Sequence, residues 1–182
     1  MQPEFPDPNE HRMLRELPDV GGVRCWLVQE IDTGERMVAR DLSTRLFQAG
    51  LRIRLENEAR LLSEIECESY NAIHSYQIVG GRLQLVYPFI EGDSLSSTLE
   101  IGTLSPESAL LLARDLLEAL VKIHEKGCVH RDWRPSHIVM RESGGAVLAG
   151  YGPVWRANLS GGDDPVGIES VQYASPELAG II

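Results

Sequence analysis

The chain has 182 residues, 43% of them apolar and 24% charged, a balance that fits a globular domain and excludes a collagen-like or wholly disordered polymer. A chain of this length buries roughly 70% of its unfolded surface, so it folds without disulfide or metal staples. With 17 Lys and Arg against 27 Asp and Glu the net charge is −10, which argues against duplex nucleic acid or an anionic membrane as the main partner.

In chain order, the opening MQPEFPDPNEH carries acids and prolines where a secretory signal would place a basic and then an apolar stretch. No apolar run reaches the length of a membrane span. Cys25, Cys67 and Cys128 stand far apart without a Cys-x-x-Cys pair, the pattern of reduced thiols, and a cytoplasmic protein is expected. Pro3, Pro6, Pro8 and Pro18 among scattered charges predict a flexible leader over 1–17. Residues 24–30 and 35–42 flank the turn Asp32-Thr33-Gly34 and predict a hairpin. Leu55, Ala59, Leu62 and Ile65 at helical spacing predict an amphipathic helix over 51–65. A second hairpin is expected from 74–79 and 82–89 around Gly80-Gly81, a pair suited to the positive φ angles of a tight turn.

Ser105-Pro106 offers an N-cap followed by proline at the first helical position. The stripe Leu110, Ala113, Leu117, Leu120, Val121 and His124 then predicts a long helix ending at Lys126-Gly127. Its apolar residues cover more of the circumference than one neighbour can bury. Short extended pieces are expected at 128–130, 138–140 and 146–148, and a Gly/Asp-rich loop at 160–167. The order implies an α+β fold in two lobes, a small antiparallel β lobe with one helix over 18–90 and a helical lobe over 91–182. A cleft between the lobes is the natural ligand site.

The segment His130-Arg131-Asp132-Trp133-Arg134-Pro135-Ser136-His137, followed by Ile-Val-Met140, resembles the catalytic loop of the protein kinases, H-R-D-x-K-P-x-N. Other segments resemble that family's motifs in the same order. Met37-Val38-Ala39-Arg40 resembles the third-strand V-A-I-K, with Arg40 at the phosphate-contacting lysine. Glu58 resembles the helical glutamate that pairs with that lysine. Val86-Tyr87-Pro88-Phe89-Ile90-Glu91-Gly92 resembles the hinge, with Tyr87 as gatekeeper, Ile90 as backbone donor to adenine and Pro88 supplying a carbonyl. Gly150-Tyr151-Gly152 stands at D-F-G, and Ser175-Pro176-Glu177 resembles A-P-E. The resemblance covers residues 17–182 and implies a kinase-like fold whose second lobe is partial, ending at the Ser-Pro-Glu motif.

The departures from the family pattern carry the chemistry. Phosphoryl transfer in the family uses Mg²⁺ held by the D-F-G aspartate and the catalytic-loop asparagine. Gly150 has no side chain, and His137 offers nitrogen where Mg²⁺ prefers oxygen, so no metal site is expected. Arg40 keeps the charge but not the shape of a lysine. Gly21-Gly22 are the remnant of the glycine-rich loop. Asp132 is retained as candidate base, and Arg134 stands at the catalytic-loop lysine. The resemblance therefore implies a pseudokinase, a regulatory or binding module in signalling whose partner is another protein or an adjacent domain. ATP, if bound, is expected to be held weakly and independently of Mg²⁺. The alternative is a residually active Ser/Thr kinase that moves the γ-phosphate of ATP to protein hydroxyls. Ser160 and Ser170 are candidate phosphorylation positions.

Overall fold

A computed structural model describes residues 5–20, 23–43, 49–130, 133–150 and 173. The first lobe contains β1 (His11–Val20), β2 (Val23–Glu30), β3 (Arg36–Ser43), α1 (Ala49–Ser63), β4 (Ser75–Val79) and β5 (Arg82–Pro88). Its strands form an antiparallel sheet in the order β1-β2-β3-β5-β4. Alternation in β5 separates the two faces. Leu83, Leu85 and Tyr87 join the core under α1 with Leu55, Ala59 and Leu62, whereas Val86 joins Trp26, Val28, Met37 and Ala39 on the outer face. The β4–β5 turn uses Gly80 (φ 59°) and Gly81 (φ 76°), the two left-handed positions expected there.

The expected leader is corrected: residues 11–17 belong to β1. This is an edge strand that exposes Met13 and Leu14, so pairing with β2 demands few apolar residues. Its register slips between Met13 and Arg15 and again between Leu17 and Val20. Pro18 falls in the second irregularity, where a residue without an N–H is tolerated.

The second lobe contains β6 (Asp93–Ser94), α2 (Leu95–Ile101), α3 (Pro106–Glu125), a 3₁₀ turn (Pro135–His137), β7 (Ile138–Met140) and β8 (Ala146–Leu148). Strands β6, β7 and β8 form a small sheet. Ser105 caps α3 by accepting from the Ser108 N–H at 3.1 Å, and Gly127 leaves the helix at φ 70°. Leu116, Ala119 and Ile123 bury one face of α3. Residues 128–130 are not a strand. Among the described residues no helix is long and apolar enough to cross a membrane.

The lobes are joined by the hinge and by a second set of ties. Asn71 N–H donates to the Leu148 carbonyl and Leu148 N–H to the Ser69 carbonyl, both at 2.9 Å. Arg141 reaches the Glu68 carbonyl at 2.7 Å, and Lys126 pairs with Glu64 at 3.0 Å. The hinge passes so close to β7 that a Cβ on Gly92 would collide with the Met140 carbonyl oxygen.

Candidate functional site

The inner face of the sheet places Arg40 on β3 opposite Leu85 of β5, and Val38 opposite Tyr87. Tyr87 is buried, and its hydroxyl has no hydrogen-bond partner. Burial pushes its pKa up to about 12, while the nearby Arg40 charge pulls in the opposite direction. Glu58 is buried on α1 and accepts from Arg54 Nε at 2.8 Å, an i, i+4 pair within the helix. That partner was not legible as such, because the resemblance directs attention to Arg40.

The catalytic-loop segment is fixed from both flanks. His130 is 2% exposed, and its Nε2 donates to the Gly150 carbonyl at 2.7 Å. Arg134 is buried and its Nη2 lies 3.1 Å from His137 Nε2, while the His137 carbonyl accepts from the Ala149 N–H at 2.8 Å. Because a guanidinium only donates, His137 Nε2 is the acceptor of this bond.

The His137 ring lies against the position where the family keeps an aspartate. Gly150 has φ +81°, and a Cβ built on it would lie 3.4 Å from His137 Nδ1 and 3.5 Å from Arg40 Nη1. Three residues singled out from separate segments, Arg40, His137 and Gly150, thus converge on one point, with Arg134 attached through His137. Among the described residues, the groups that meet there are a guanidinium and an imidazole ring, neither of which offers oxygen. A hard divalent cation requires oxygen acceptors, so these positions do not fit Mg²⁺.

The hinge is partly committed. The Pro88 carbonyl, expected to serve adenine, accepts from Asn71 Nδ2 at 3.0 Å, which leaves one lone pair. Phe89 N–H donates to the Arg36 carbonyl at 2.9 Å. Arg36 also stacks over the Phe89 ring at 4.9 Å and pairs with Glu91. The Ile90 N–H makes no hydrogen bond among the described residues. An adenine edge therefore fits Ile90 as donor and Pro88 as a shared acceptor. Asn71 was not anticipated, since nothing in the α1–β4 loop sequence marks it. Gly21, Gly22, Asp132, Ser160, Ser170 and the segment 175–177 lie outside the described residues.

Comparison with known proteins completes the assignment. The family model described as "Protein kinase domain" matches residues 21–180. The chain is 35% identical over 133 residues to serine/threonine-protein kinase pkn2 of Myxococcus xanthus, covering 72% of this chain and 16% of the relative. It is 30% identical over 142 residues to serine/threonine-protein kinase PknH of Mycobacterium tuberculosis, covering 76% of this chain and 23% of the relative. The chain thus spans less than a quarter of the length of these relatives. Among solved structures, the PknI kinase domain of M. tuberculosis superposes with a TM-score of 0.70 at 19% identity, covering 80% of this chain and 59% of that one. The ordered motifs, the two-lobed fold and the family match agree, and the chain belongs to the protein kinase domain family.

Proposed function

We propose that this kinase-family chain works as a regulatory or binding module whose capacity for phosphoryl transfer is impaired, its partner being another protein or an adjacent domain of a signalling protein. The observation that carries the reading is the convergence of Arg40 Nη1 and the His137 ring on the place where a side chain at Gly150 would begin. Kinase chemistry depends on positioning and on neutralising phosphate charge through bound metal. A guanidinium and an imidazole ring stand where oxygen acceptors would be needed to hold it. Adenine recognition through Ile90 and Pro88 is retained in this reading, so nucleotide binds weakly and gains little from Mg²⁺. A second reading, an active Ser/Thr kinase with Asp132 as base, is favoured by the relatives, which are serine/threonine-protein kinases.

Transfer of labelled γ-phosphate to a generic protein substrate separates the two. The chain is expected to show no Mg²⁺-dependent transfer, and its affinity for ATP, measured by calorimetry, is expected to change less than about tenfold on adding Mg²⁺, equivalent to about 1.4 kcal/mol. The double variant Gly150→Asp/His137→Asn supplies oxygens at both positions, and aspartate tolerates the left-handed backbone better than most residues. In it, ATP affinity should become Mg²⁺-dependent. Transfer by the unaltered chain that disappears in Asp132→Asn would instead establish the second reading.

A further inference from the structure

The residues ahead of β1 cross the outer face of the sheet, away from Tyr87 and the cleft. Phe5 packs edge-on against Trp26, with ring centroids 6.0 Å apart and an interplanar angle of 75°, and Pro6 is buried. The chain then turns into β1 as the Asp7 carbonyl accepts from the N–H groups of Glu10 and His11 at 3.1 and 2.8 Å. Between this turn and strands β4 and β5 lies a cavity of about 160 Å³, whose walls include Phe5, Asp7, Glu10, His11, Tyr76 and Gln84.

Two features of the wall point to an occupant. His11 is 9% exposed and Gln84 5% exposed, yet His11 Nδ1 and Gln84 Oε1 have no hydrogen-bond partner. Buried polar atoms in that condition are costly unless something in the cavity satisfies them. The wall also carries two carboxylates, Asp7 and Glu10, and no Lys or Arg. Asp7 Oδ1 already accepts from Asn9, which orients its carboxylate. Arg82, on the same face of β5, is committed to Asp41 by 2.7 Å hydrogen bonds. The cavity therefore presents acceptors, negative charge and the Phe5 side to whatever enters it, while Tyr76 turns its ring to the inner core beside Leu85.

We propose that this cavity is a binding site for a guanidinium, the side chain of an arginine presented by a partner protein. A guanidinium is planar and donates up to five hydrogen bonds, which matches two carboxylates, a carboxamide oxygen and an imidazole nitrogen. The volume suits one side-chain head and not a drug-sized ligand. A chain of net charge −10 also attracts a basic partner over distance. The site lies on the face opposite the cleft, so it stands whether or not the cleft transfers phosphate.

The test uses the full chain and N-acetyl-L-arginine amide as probe, read by NMR at the His11 ring nitrogens and the Gln84 side-chain amide. Saturable shifts at both are expected. N-acetyl-L-citrulline amide, of the same shape but uncharged, should bind at least about tenfold more weakly, and so should the arginine probe to Asp7→Asn/Glu10→Gln. Glu10→Gln alone alters an exposed side chain, keeps the fold and should weaken binding measurably. Absence of saturable shifts, equal binding of the citrulline probe, or undiminished binding by the carboxylate variants would overturn the proposal.

Discussion

Tyr87 shows how one residue reports on the cleft. Its hydroxyl is buried beside Arg40 without a hydrogen-bond partner, so the oxygen is desolvated with little return. Removing such a group costs less than removing a paired one and can be favourable. Tyr87→Phe is therefore expected to be neutral or to stabilise by up to about 1 kcal/mol in urea unfolding. A loss of more than about 1 kcal/mol would show that the hydroxyl has a partner, such as a bound water, which makes it part of a polar network. His130 is the opposite case. Its Nε2 is paired to the Gly150 carbonyl, and His130→Ala should cost about 2 kcal/mol or more, because it opens a cavity and orphans a carbonyl. Equal melting of that variant and the parent chain would remove His130 from the account of how Gly150 is held.

At the scale of elements, α3 is tied to the β7–β8 turn by a buried carboxylate. Asp115 Oδ2 accepts from the Ala146 N–H at 2.8 Å, and Oδ1 accepts from Arg114. Gly145 lies so close to Asp115 that a Cβ there would approach Oδ2 to 2.8 Å. Asp115→Ala should cost about 2 kcal/mol by leaving a buried N–H unpaired. Arg114→Ala, whose side chain is 67% exposed, should cost less than about 1 kcal/mol; equal losses would move the weight to the surface pair. This tie was not visible in the sequence, where Asp115 reads as one more charge on a helix. Helix α3 itself was visible, because its cap, proline and apolar stripe are local signals. The glycine turn of β4–β5 was visible for the same reason. The first strand was not, since an edge strand broken by two irregularities keeps too little alternation to stand out from a proline-rich leader. The seven residues of α2 are too few for a helical period to emerge. In the site, Arg40, His137 and Gly150 were legible as departures from a motif, but their convergence is a property of the fold. The Asn71 bond to Pro88 and the Arg54 bond to Glu58 depend on partners that no motif names.

The whole molecule depends on how its lobes are coupled and on what α3 leaves uncovered. Glu64 is held below its usual pKa mainly by a hydrogen bond from Lys126 and the charge of that ammonium, with Arg60 adding to it. A depressed carboxylate contributes stability above its unfolded pKa and loses it as pH falls through the folded value. The difference in melting temperature between the chain and Glu64→Gln should therefore be present at neutral pH, shrink as the pH drops below the usual glutamate range and narrow with added salt, since the pair is exposed. A difference independent of pH would mean that the pair does not act through its charge. On α3, Leu116, Ala119 and Ile123 are buried, while Leu110, Leu117 and Val121 are 73%, 61% and 53% exposed on another face. Spacings of seven and four residues place those three in one row. A surface helix with one partner shows a single apolar stripe, and a second row in water favours association. The chain of 182 residues is expected to bind a hydrophobic dye and to self-associate at micromolar concentration in light scattering. Leu110→Ser combined with Leu117→Ser should reduce both without lowering stability, because neither side chain contributes to the buried face. A monomer that binds no dye would show that this row is covered within the chain itself.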